Sequence, residues 1–222
     1  MSWSWLADVR ALWKKELRIE LRSRHGLQAV LLFALAALVL GSLALGPTRT
    51  SPEERMLFGP VLFWLIALFS AALGLPRHFV REEELGTADL LRLALPPQAV
   101  YGGKWCAAVT EVWLLELLML PLLLLFLDLE LQGKLLAWSV ALFLGGIGLA
   151  SGSTLLSSMA AQARSPAALF AALALPVFLP LLMLLVGLAH TEEPFAWTLQ
   201  LLLYDVLIMA AGFLLFPAVW RR

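Results

Sequence analysis

Three carboxylates fall inside long apolar runs: Glu111, Glu116 and Asp205. An acid in hydrocarbon is costly, so each is a candidate for a substrate or proton contact, or for a hydrogen bond to a neighbouring helix. Glu111 and Glu116 are five residues apart, about 140° round a helix, and make no obvious pair. Each of the histidines, His25, His78 and His190, stands at the end of an apolar run. There an interfacial polar residue is the plain reading and haem or metal ligation the sharper one. A metalloenzyme or intramembrane protease would need such groups facing each other inside the bilayer. The single cysteine, Cys106, excludes an internal disulfide and a CxxC metal site, and reads as a small apolar residue. Gly102-Gly103-Lys104 lacks the upstream glycine and the following Ser or Thr of a P-loop, so ATP is not bound that way.

The elements that must position these residues are membrane spans. Of 222 residues 61% are hydrophobic and 14% charged, against about a quarter charged in a soluble domain. Apolar runs of about 20 residues, the length that crosses a bilayer core, recur along the chain. The reading is one all-α transmembrane domain over 1–222 with six spans, near 27–46, 58–75, 105–127, 135–158, 166–189 and 197–219. Ser42-Leu43-Ala44 resembles a signal-peptide cleavage site, but the run before it is longer than an h-region of about 7–15 residues. It is therefore expected to be the first span. Trp105, Trp138, Trp197 and Trp220 mark span ends, where interfacial aromatics belong.

Residues 3–24 precede the first span. Leu6, Val9, Trp13, Leu17 and Leu21 form one helical stripe, and Arg10, Lys14, Lys15, Arg18, Arg22 and Arg24 supply six cations. With Trp3 and Trp5 this predicts an amphipathic helix on the membrane surface, or else a basic flank that sets orientation. Lys and Arg then divide thirteen to three. The termini, the 76–104 connection and Arg164 fall on the rich side; Arg49, Arg55 and Lys134 fall on the poor side. The positive-inside rule places both termini and 76–104 in the cytoplasm. The connections on the far side are too short for an outer domain.

The fourth span is rich in small residues, with Gly145, Gly148 and Gly152 among them; 148 and 152 make a GxxxG spacing. Close packing within the bundle is one reading, and a face for a second copy or partner subunit the other. Pro121, Pro176 and Pro180 should kink the third and fifth spans.

The 76–104 connection is the most charged internal stretch. His78 to Glu84 is expected to extend the second helix, and Gly86 to stop it. Thr87 suits an N-cap, with Asp89 in the first turn of a short helix over Ala88 to Ala94. Leu90, Leu91, Leu93 and Leu95 give that helix apolar surface, and Pro96-Pro97 ends it. Such a helix can dock in a groove of a partner or lie on the surface with none.

At these residues the chain resembles a family. Arg81-Glu82-Glu83-Glu84-Leu85-Gly86-Thr87, then leucines and Pro96-Pro97, looks like the coupling segment of ABC-2 permeases. Within that class the size, six spans, Gly103-Lys104-Trp105, LFLGGIGLASGSTLLSS and ALALPVFLPLLMLLVG resemble the CcmB family, the haem exporter B subunit of cytochrome c maturation. The resemblance covers about residues 55–190. It implies a permease subunit without its own ATPase. The implied partners are a CcmA-like ATPase, a CcmC-like haem handler, a small CcmD-like single-span protein and a CcmE-like periplasmic chaperone. It also implies an inner-membrane location, a possible homodimer, and Arg81, Glu82, Glu83, Glu84, Gly86, Thr87, Asp89, Leu90 and Leu91 as the ATPase-coupling residues. Haem would be cargo of the complex rather than a group bound by this chain, and no nucleic acid is involved. An ABC-2 permease for a lipid, drug or glycan, a membrane enzyme using the three intramembrane acids, and a scaffold remain as alternatives.

Overall fold

Pro, Gly and short polar turns divide the chain into nine helices among the described residues. The computed structural model describes residues 3–220 except 23, 76, 131, 132, 164 and 192, and the backbone alone at 3, 4, 24, 25, 27 and 77. Of the cations that orient the chain, Arg164, Arg221 and Arg222 thus lie outside the described residues, as do the side chains of Arg24 and Arg77, and with them those of Trp3 and His25. The helices are α1 (Trp3–Arg22), α2 (Arg24–Leu45), α3 (Pro52–Gly74), α4 (Arg77–Glu84), α5 (Ala88–Ala94), α6 (Pro97–Leu127), α7 (Leu135–Ala160), α8 (Pro166–His190) and α9 (Pro194–Trp220). Six of them, α2, α3, α6, α7, α8 and α9, are long and apolar enough to cross a membrane. The fold is an all-α bundle of membrane spans. The charged helix α4, RHFVREEE, lies beyond the apolar run of α3 and outside the spans.

Local signals set the helix ends. Ser51 caps α3 through a reciprocal box: its hydroxyl accepts from the Glu54 N–H at 3.2 Å, and the Glu54 carboxylate accepts from the Ser51 N–H at 2.8 Å. Pro52 fills the first position, so α3 begins six residues before the expected Phe58. Likewise α6 begins at Pro97, not at Trp105. Its first two turns come from the supposed connection: Pro97 opens a helix well, and Gly102-Gly103, which would weaken a helix standing alone, are covered by Val9 and Leu12 of α1.

Helix α7 is the hub. Each of its glycines receives a side chain from a different direction. A Cβ at Gly145 would meet Trp64 of α3 at 2.3 Å, and one at Gly146 would meet Trp113 of α6 at 2.3 Å. At Gly148 it would meet Asp205 of α9 at 2.6 Å, and at Gly152 Phe178 of α8 at 2.6 Å. All four glycines therefore face internal neighbours, and the close approach they permit builds the main core.

A second, smaller core forms at one end from Leu12, Phe79, Ala88, Val100, Tyr101, Phe216 and Trp220. It joins α1, α4, α5, α6 and α9. The tryptophans placed at span ends pack against protein. Trp138 and Trp220 are buried, Trp105 donates to the Ser151 hydroxyl at 2.8 Å, and the Trp197 ring closes on Gly187.

Helix α1 docks on protein rather than only lying flat. Its buried stripe is Val9, Leu12 and Glu16, while Leu6 and Leu21 of the expected stripe are exposed. Val9 and Leu12 rest on Gly102 and Gly103 of α6, and Trp13 donates to the Thr110 hydroxyl at 3.1 Å.

Candidate functional site

The elbow α4–α5 is built as a charged bracket over the second core. Gly86, at φ +67°, turns the chain between the two helices in a conformation that favours glycine. Thr87 stands at the N-cap position of α5 but makes no cap bond. Its hydroxyl donates instead to the Glu82 carboxylate. This corrects the capping role expected of Thr87: a buried carboxylate next door is the stronger acceptor.

Glu82 is the pivot. Lys15 of α1 donates to it at 2.5 Å, and Lys104 of α6 stands 3.5 Å away. Lys104 is 0% exposed and Glu16 6%. The Lys104 ammonium donates to Glu16 Oε1 at 2.9 Å and to the His78 carbonyl at 2.5 Å, and lies 5.1 Å from the centre of the Phe79 ring. One buried ammonium thus ties α1, α4 and α6 together. Burial alone would raise the Glu82 carboxyl. The Lys104 charge, with bonds from Lys15 and Thr87, outweighs it and holds Glu82 below the usual carboxylate range.

His78 extends the network towards the membrane. Its Nε2 lies 3.1 Å from Glu111 Oε1, an ion-pair distance without hydrogen-bond alignment. Burial disfavours the charged imidazole, but the Glu111 charge prevails and raises the His78 pKa above its ordinary value. Sequence reasoning weighed His78 as an interfacial polar residue or a haem or metal ligand, not as the partner of Glu111. It also missed Lys15, Glu16, Lys104 and the glycine pair 102–103. The available signal was Glu16 on the buried stripe with Val9 and Leu12, opposite a lysine that follows two small residues.

Of the remaining expected site residues, Glu83 and Asp89 both bind Arg92, at 2.6 and 2.7 Å. Arg92 also donates to the Trp220 carbonyl at 3.1 Å and stacks 4.7 Å from the centre of its ring. Arg81 and Glu84 are exposed. Leu91 packs on the second core, whereas Leu90 is 66% and Leu93 87% exposed. Between α1 and the elbow runs a cleft of about 780 Å³, lined by Ile19, Glu20, Arg81, Glu84, Leu85 and Leu90 among others.

The intramembrane acids do not converge. Glu111 belongs to the His78 network. Glu116 and Asp205 are buried with no hydrogen-bond partner at either carboxylate oxygen, and they meet α7 at Gly146 and Gly148. Two residues along a helix is about 200° of turn, so the pair flanks α7 on opposite sides. Among the described residues no three His, Cys, Asp or Glu side chains gather as a metal site.

Comparison with known proteins agrees with this architecture. The family described as CcmB protein matches residues 7–215. "Heme exporter protein B" of Bradyrhizobium diazoefficiens is 31% identical over 185 residues, covering 80% of this chain and 78% of the relative. "Heme exporter protein B" of Rhodobacter capsulatus is 31% identical over 176 residues, covering 78% of each. A match over nearly the whole length, on a bundle of six candidate spans, places this chain in the CcmB family.

Proposed function

We propose that this chain is the permease subunit of an ABC assembly that moves haem for cytochrome c maturation. Membership in the CcmB family favours haem over a lipid, drug or glycan as cargo. The chain holds the inner membrane with both termini, α1 and the α4–α5 elbow on the cytoplasmic side, where the cations concentrate. A CcmA-like ATPase docks on the elbow. CcmC-like, CcmD-like and CcmE-like proteins handle the haem, which this chain does not ligate. In support of that, His78 is engaged by Glu111, and His190 contacts the Val186 and Leu57 carbonyls at the opposite end.

The observation that carries the reading is the elbow itself. It presents bare leucines outward while charges and aromatic rings clamp it inward to α1, α6 and α9. A partner that moves the elbow therefore moves those helices as well. The other transmembrane half of the transporter is a second copy or the CcmC-like protein, which the mass of the purified assembly distinguishes.

The test is co-purification. Leu90→Asp combined with Leu93→Asp should release the ATPase and abolish haem delivery while the permease stays folded in the membrane. Undiminished ATPase binding by this variant, and by a deletion of residues 82–93, would show that the elbow is not the docking site.

A further inference from the structure

The charges of α1 are divided between its two sides. Its acids, Asp8, Glu16 and Glu20, are buried or half-buried on the side of Val9 and Leu12. Glu16 pairs there with Lys104. Arg10, Lys14, Arg18 and Arg22 recur every fourth residue, so they form one row, and all four are exposed. Among the described residues none of these four has an ion-pair partner. Leu6 and Leu21 on the same outward face are 59% and 68% exposed.

That face lies at the membrane boundary. Trp13 donates to Thr110, which is inside the apolar run of α6. The apolar window of α2 opens at Gln28, soon after Arg22. Helix α1 is therefore held at headgroup depth. Exposed leucines beside cations, with no acid among them, suit a layer of phosphates over acyl chains. The leucines enter the acyl boundary and the cations meet the phosphates. An acidic patch on a soluble protein would match the cations but not this depth.

We propose that the outward face of α1 binds the headgroups of anionic phospholipids, and that lipid held there steadies the elbow. An anionic headgroup is favoured because it carries no ammonium of its own to offset the phosphate. The link to the elbow is short. Lys15 and Glu16, next to Lys14 on the same helix, bind Glu82 and Lys104. A helix pinned by lipid along its cation row keeps those two side chains in place against α4 and α6.

The experiment uses the full chain in nanodiscs of equimolar phosphatidylglycerol and phosphatidylcholine, with retained lipid counted by native mass spectrometry. It needs neither ATPase nor haem, so its failure would leave the proposed function untouched. Phosphatidylglycerol should be retained about tenfold over phosphatidylcholine, and less so in about 0.5 M salt. Lys14→Gln with Arg18→Gln should cut that preference to about a third, with helicity unchanged. Lys14→Arg with Arg18→Lys should keep it. Arg49→Gln, which removes an exposed cation at the other end of the bundle, should leave it unchanged. Amide exchange over residues 78–94 should be slower in phosphatidylglycerol discs than in phosphatidylcholine discs. Equal retention of the two lipids, a full preference in the Gln double variant, or an equal loss in Arg49→Gln overturns the lipid surface and leaves the cations to an acidic protein. Unchanged exchange with phosphatidylglycerol retained overturns the link to the elbow.

Discussion

Lys104 and Glu16 form a buried ion pair of 2.9 Å, although 88 residues separate them in the chain. The ammonium is fully enclosed and has further acceptors in the His78 carbonyl and Glu82. Removing one partner of such a pair strands the other charge, which costs about 3–5 kcal/mol. Lys104→Met should therefore destabilise the purified protein by that order, read as a fall in thermal midpoint. Adding Glu16→Gln to it should restore part of the loss, since the stranded charge is gone. A double variant no better than the single would mean that Lys104 acts mainly through the His78 carbonyl.

The same network makes the elbow sensitive to pH from both sides. The Glu82 pKa is lowered in the fold from its ordinary 4.5. Its contribution is complete above 4.5 and is lost as pH falls through the lower folded value. The His78 pKa is raised from 6.5 by Glu111 and Glu16 against burial and Lys104. Its contribution is complete below 6.5 and is lost as pH rises through the higher folded value. The thermal midpoint should thus be greatest between these limits. Glu82→Gln should flatten the acid limb and His78→Gln the alkaline one. Unchanged limbs in both variants would assign the pH dependence to other groups.

How much of this was legible in the chain depends on how far apart the partners lie. The helix over Ala88 to Ala94 could be read because Gly86 and Pro96-Pro97 act on their immediate neighbours. The six spans could be read because apolar length is a local property. Lys104 could not be read: its partners Glu16 and Glu82 come from helices whose packing no local pattern reveals. Thr87 misled for the converse reason. Its type and position fit a cap, and only the folded elbow brings it to Glu82. Gly102 and Gly103 were weighed as a nucleotide motif, while their use is to let α1 approach α6.

The hub glycines give a graded prediction. At Gly145 and Gly146 an added methyl would lie 2.3 Å from the rings of Trp64 and Trp113. Trp64 is fully buried and held edge-on to Phe63, with ring centres 5.1 Å apart, so it cannot yield easily. Gly145→Ala should cost about 1–3 kcal/mol through overpacking. At Gly74 the methyl would meet only half-buried Val30, at 3.3 Å. There the gain in helix propensity, up to about 1 kcal/mol, should offset the contact. Unfolding midpoints of the two variants in one detergent make the comparison. Equal losses would refute the assignment of α7 as the tightly packed hub.

Arg92 makes the last prediction, because it decides which span follows the elbow. Stiff second and third spans, α3 and α6, would be the first choice for carrying motion away from α5. The contacts add α9. Arg92 holds the Trp220 carbonyl and stacks on its ring, while Glu83 and Asp89 fix the guanidinium from α4 and α5. Trp220 in turn stacks on Phe216, 5.2 Å between ring centres, and Phe216 meets Phe79 and Tyr101. A displacement of α5 therefore pulls on the last two turns of α9. Arg92→Ala removes a charge-assisted bond of about 1.5–3 kcal/mol. Amide exchange over residues 213–220 should quicken, and haem delivery should fall while the ATPase still co-purifies. Arg92→Lys keeps the charge but loses the planar fork that serves two carboxylates and a carbonyl at once, so it should rescue poorly. If Arg92→Ala instead releases the ATPase and leaves exchange in α9 unchanged, the residue belongs to the docking surface, and α3 and α6 carry the motion alone.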